Sequence, residues 1–96
     1  MFARVSVYEV PEDRRGEAER SFKEALGRIS ESRGLEHAYA LFGCEGRHAI
    51  TITLWEDQGA MAESRVAASR LRSEAAGSVD ADVVSVEEFV VVAGAA

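Results

Sequence analysis

The sequence predicts an α+β fold, a ferredoxin-like βαββαβ order with an antiparallel sheet. Three observations predict it: two stretches with helical apolar spacing, four with strand alternation, and a glycine-bounded turn joining the middle strands. With 96 residues there is room for one domain, 1–96, and for no second core.

Phe2 to Val10 alternates β-branched and aromatic residues with polar ones and stops at Pro11, which predicts the first strand. Asp13 is placed to cap a helix over 14–33, in which Ala18, Phe22, Leu26 and Ile29 recur on one face. Gly34 supplies the left-handed stop and Leu35 the apolar residue after it. Leu35–Phe42 and Arg47–Glu56 then read as a hairpin around Gly43-Cys44-Glu45-Gly46. Asp57 caps a second helix that runs to about Ala76 and ends at Gly77, with Met61, Ala68, Leu71 and Ala75 inward. Val83–Val92 is the last strand, followed by a loose Ala93–Ala96 tail.

Closing the hairpin across Phe42 and Arg47, so that paired numbers sum to 89, separates two faces. Leu35, His37, Tyr39, Leu41, His48, Ile50, Ile52 and Leu54 are expected beneath the helices. Ala38, Ala40, Phe42, Ala49, Thr51, Thr53 and Trp55 are expected on the open face, with Tyr8 and Phe89. Such an apolar face calls for a partner, and a second copy across a two-fold axis is the simplest one. Trp55 and Phe42 each bury on the order of 150–250 Å². An obligate homodimer is therefore expected, with Trp55→Glu breaking it.

The space between two such sheets is expected to be lined by Arg4, Ser6, Tyr8, Thr51, Thr53, Trp55, Ser85 and Glu87, a pocket composition of aromatic walls with a few polar groups. Trp55 reads as an interface anchor or as a wall stacking on a flat substrate. Arg4 and Glu87 read as a structural ion pair or as an anion-holding, proton-shuttling pair. His37 and His48 lie on the order of 14 Å apart at ~3.4 Å per residue, too far to share a metal. Neither CxxC nor HxxxH is present, so no metal site is expected. Cys44 reads as an incidental turn thiol, because no His flanks it as a dyad partner. There is no phosphate-cradling glycine loop and no nucleophile elbow.

The net charge of −6 argues against nucleic acid and against an anionic membrane surface as partners. One cysteine and no apolar leader point to a cytoplasmic protein.

Residues 54–64, Leu-Trp-Glu-Asp-Gln-Gly-Ala-Met-Ala-Glu-Ser, resemble the strand-to-helix signature of the antibiotic biosynthesis monooxygenase superfamily, the dimeric α/β-barrel proteins. Trp55, Ala60 and Met61 match it. Thr53 stands where many members have Glu, and Ser64 where they have His. The haem-degrading branch of this fold works with an Asn, a Trp and a His, and the chain has no Asn at all, which sets that activity and acylphosphatase aside. The resemblance implies a homodimer that holds a small aromatic or quinone-like molecule. It also implies oxygenation without a cofactor, the electron-rich substrate activating oxygen itself. The candidate substrate-binding set is Trp55, Tyr8, Arg4, Ser6, Thr51, Thr53, Met61 and Glu87, with Trp55 and Tyr8 holding the ring and Arg4 a developing phenolate; catalytic residues are unassigned. The alternative is a non-catalytic small-molecule-binding or sensor dimer of the same fold.

Overall fold

The computed structural model describes residues 1–96. Its four-stranded antiparallel sheet has the order β2-β3-β1-β4, with β1 Phe2–Glu9, β2 Leu35–Phe42, β3 His48–Trp55 and β4 Asp82–Val90. The helices are α1 Arg15–Ile29, α2 Gln58–Glu63 and α3 Arg65–Gly77. This is the ferredoxin-like α+β architecture, in which β1 lies between β3 and β4, the two strands of the second half of the chain. No helix is long and apolar enough to cross a membrane.

Several boundaries differ from the sequence reading. Glu12–Arg14 form a 3-10 turn, so Asp13 caps nothing and α1 starts at Arg15. That helix also stops at Ile29, four residues before Arg33, and the chain turns through Ser30 and Ser32 to reach Gly34. Gly34 has φ +80°, and a Cβ there would run into the Ala60 Cβ, so glycine is needed for both conformation and space. Asp57 caps α2 as expected, its Oδ1 accepting the Ala60 N–H at 2.8 Å. The expected second helix is broken at Ser64 into α2 and α3.

The hairpin register is two residues away from the expected one. Leu41 faces Ile50 and Phe42 faces Ala49, a sum of 91. The loop is longer by that amount, with Gly46 at φ +87° and the Gly43 N–H bonded to the His48 carbonyl. An even slip leaves the two faces intact, but which face the helices cover is the reverse of the expectation. The cores under the helices contain Tyr8, Ala49, Trp55 and Phe22, with Ala38, Ala40 and Phe42 packed against them. Small Ala38, Ala40 and Ala49 make room there for Phe22, which meets Tyr8 and Phe42 edge-on at 4.7 and 5.4 Å. Leu35 alone of its predicted set stays on the helix side, because a bulge between Leu35 and His37 switches the alternation. His37, Tyr39, Leu41, Ile50, Ile52 and Leu54 line the open face instead, and His37 is exposed.

Gly34→Ala is expected to destabilise the fold by on the order of 2 kcal/mol, since strain and overlap add. A lowered urea midpoint with an unchanged slope is the expected result.

Candidate functional site

One cavity of this chain lies between the sheet and the helices of the subunit, beneath α1 and α3. It is partly open to solvent, with a volume of about 60 Å³. Ser6 and Tyr8 of β1 and Thr51 and Thr53 of β3 form its floor, because alternation points them all toward the helices. The helices add apolar walls from Phe22, Leu26, Ile29 and Leu71, with Arg4 and Arg72 as the cations.

The floor is rich in hydrogen-bond donors. Trp55 Nε1–H donates to Thr53 Oγ1 at 2.9 Å, which leaves the Thr53 hydroxyl hydrogen free. Tyr8 and Thr51 share one hydrogen bond of 3.0 Å, so one of their two hydroxyl hydrogens is also free. Ser6 is only 3% exposed, and its side chain lines the cavity. No Asp, Glu, His or Cys lines the cavity, and nowhere in the chain do three potential metal-ligating side chains converge.

Arg4 is 4% exposed and is held from four directions. Its Nη2 donates to the Met61 carbonyl at 2.8 Å and to Glu88 Oε2 at 2.9 Å, Nη1 donates to Ser64 Oγ at 3.1 Å, and Nε–H points at Glu88. The Trp55 ring lies 5.7 Å from the guanidinium carbon, within cation–π range. Ser64 Oγ also donates back to the Met61 carbonyl at 2.7 Å, the serine-to-backbone bond that competes with regular helix, and this is where the helix breaks. Arg65 closes the cluster from outside, 2.6 Å from Glu88 Oε1. Hydrogen bonds from Arg65, helped by Arg4, hold the Glu88 carboxyl down at about 2.

Of the sequence-predicted residues, Arg4, Ser6, Tyr8, Thr51 and Thr53 are together at the cavity. Trp55 is fully buried at its edge behind Thr53 and Arg4, so it is no anchor between subunits. Met61 offers its carbonyl to Arg4 from a buried position. Glu87 is not there: it pairs with Val5 on the open face, and Ser85 with Val7. Arg4 faces Glu88, because register and not sequence spacing decides which acid of β4 meets it. The sequence reading placed the pocket between two sheets, and the covered face is what moves it inside the subunit. It also missed Ser64 as an Arg4 partner, Glu88, and Arg72. The helical spacing of Arg72 with Ala68 and Ala75 carried that last signal.

A four-stranded antiparallel sheet with its helices on one face defines a ferredoxin-like α+β subunit. By sequence the chain matches no family model and no curated protein. By structure it has the fold of the antibiotic biosynthesis monooxygenases. SnoaB, a cofactor-independent oxygenase from Streptomyces nogalater, superposes with a TM-score of 0.79 at 14% identity, over 97% of this chain and 94% of that one. MhuD, the haem degrader of Mycobacterium tuberculosis, was solved with two haems in its active site. It gives a TM-score of 0.78 at 21% identity over all of both chains. A Deinococcus radiodurans protein assigned as an antibiotic biosynthesis monooxygenase gives 0.74 at 12% identity, over all of this chain and 95% of that one.

Glu88 carries a pH prediction. Its folded pKa lies below the ordinary carboxylate value, so its contribution is present above about 4.5 and is lost as pH falls toward about 2. Glu88→Gln is expected to cost on the order of 2 kcal/mol at neutral pH, because Arg4 stays buried without its countercharge, and less than a fully buried pair because Glu88 keeps some water. Thermal melts of the variant across that acid window are expected to fall less steeply than those of the wild type.

Proposed function

We propose that this chain is a cofactor-independent, monooxygenase-like protein acting on a small aromatic or quinol compound, and that it works as a homodimer in the cytoplasm. The observation that carries the reading is the donor-rich floor under apolar walls. Hydroxyl groups of Ser6, Thr53 and the Tyr8–Thr51 pair line the floor and can turn toward a ring oxygen that gathers charge.

In that reaction an ionised phenol gives an electron pair to dioxygen and a carbon–oxygen bond forms. The O–O bond then breaks, one oxygen stays as the quinone carbonyl, and the other leaves as water with the ring and phenol hydrogens. The substrate supplies every electron. Tyr8, Ser6 and Thr53 bind and stabilise the oxygen that bears the charge. Arg4 contributes chiefly field, since Glu88 neutralises it and a single Nη1 hydrogen remains uncommitted.

A single ring needs about 150 Å³, as an engineered benzene-binding cavity shows, so the helices part from the sheet on loading. The small side chains of Ala25, Ala68 and Ala75 lining this cavity offer little resistance. A second reading, a non-catalytic binder or sensor, is favoured by one observation: no carboxylate or imidazole is present in the lining to take the substrate's proton.

The homodimer rests on the open sheet face. Tyr39, Leu41 and Phe89 are 49%, 47% and 45% exposed, beside half-buried Val5, Val7, Ile50, Ile52 and Leu54. Four strands at ~4.8 Å and eight residues at ~3.3 Å give a flat face of about 500 Å², which side-chain relief raises toward the ~800 Å² per partner of a stable interface. The part of the face on β2 and β3 between Tyr39, Leu41, Ile50, Ile52 and Leu54 is uncharged, with Glu87 confined to the edge strand β4.

Oxygen uptake with a panel of hydroquinones is expected to match quinone formation one to one, and Tyr8→Phe to lower kcat/KM about tenfold. Binding without uptake above the blank selects the binder reading instead. Sedimentation is expected to show two 10.4 kDa chains together, with Ile52→Glu yielding a folded monomer. Trp55→Glu, now inside the subunit, is expected to abolish folding.

A further inference from the structure

We infer that the ligand of this cavity is an acid, an aryl or other flat apolar carboxylate, whose carboxylate is held by Arg72. The inference rests on the proposed reading of the cavity as a ligand site and names the group that ligand must carry.

Arg4, Arg14, Arg15, Arg28, Arg47 and Arg65 each have a carboxylate within ion-pair distance. Arg20, Lys23, Arg33 and Arg70 have none, and all four are exposed to water. Arg72 is the one cation that is both without a partner and half-buried, and it lines the cavity beside Leu71 and Ala75. Acids outnumber bases 17 to 11 in this chain, so a shortage of carboxylates does not explain its lack of one. The other cation of the cavity, Arg4, is already neutralised by Glu88.

A second, independent feature points the same way. Ser6 is buried as a residue and lines the same cavity with a short hydroxyl side chain. With the free hydroxyl hydrogen of Thr53, the site offers donors to a ligand and no carboxylate to repel an anion or attract a cation. A planar guanidinium with open donors matches a carboxylate fork-to-fork, and the apolar walls from Phe22, Leu26 and Leu71 take the ring.

The test titrates 2-naphthoate and its neutral isostere 2-naphthamide into the wild type, Arg72→Gln and Arg72→Lys, following the fluorescence of Trp55, the only tryptophan. Calorimetry supplies a second readout, and circular dichroism confirms that each variant is folded. Naphthoate is expected to bind the wild type about tenfold more tightly than naphthamide, the size of a charge-assisted hydrogen bond. Arg72→Gln is expected to erase that preference, weakening naphthoate more than naphthamide, and Arg72→Lys to restore part of it. Equal affinity of acid and amide in the wild type, or a preference that survives Arg72→Gln, overturns the assignment of Arg72 while the cavity reading stands. Binding of neither compound overturns the inference, and if hydroquinones also fail to bind, the cavity reading falls with it.

Discussion

The buried guanidinium of Arg4 organises the structure. It starts on the central strand, crosses the cavity end, and ties β4 through Glu88, α2 through the Met61 carbonyl, and the helix break through Ser64. A charge this deep in a subunit costs several kcal/mol in desolvation unless its donors find partners, as four of the five N–H groups do here. That demand accounts for three features at once: a carboxylate on an edge strand, a helix interrupted at a serine, and a Trp ring facing the cation. Arg65 adds an outer clamp on the same acid, so Glu88 stays ionised far into the acid range.

The cavity is a consequence of that arrangement. Because Arg4 and Trp55 occupy one end of the sheet's covered face, the short side chains of Ser6, Thr51 and Thr53 are left under α1 and α3, with Ala25, Ala68 and Ala75 opposite. Small residues on both sides leave space, and hydroxyl groups give that space polarity. The uncovered face is different in kind. It is built of long aliphatic and aromatic residues suited to close packing against a flat partner.

Most of the element order was legible, since capping at Asp57 and the glycine-bounded hairpin are local signals, whereas the helix expected to run to Gly34 ends at Ile29. The candidate site was legible as a residue set, because alternation along β1 and β3 groups Arg4, Ser6, Tyr8, Thr51 and Thr53 whichever side the helices take. Its location was not. Both faces of this sheet are apolar, so hydropathy does not distinguish a face covered by the chain's own helices from one left for a partner. Glu87 and Glu88 stand for the same difficulty in one pair, as adjacent acids on a strand whose bulge beside Val7 and Tyr8 sets which one points inward.

The sequence by itself determined the periodicities, and through them the ferredoxin-like order, the grouping of residues along β1 and β3 and the Asp57 cap, because these depend on residues within a few positions of one another. Only the tertiary structure decided which face is covered, that the pocket lies within one subunit, that Arg4 meets Glu88, and that Arg72 is left without an acid. Those outcomes depend on register between strands and on helix placement over the sheet. Both are set by side-chain volumes and charges that meet from segments as far apart as residues 4 and 88.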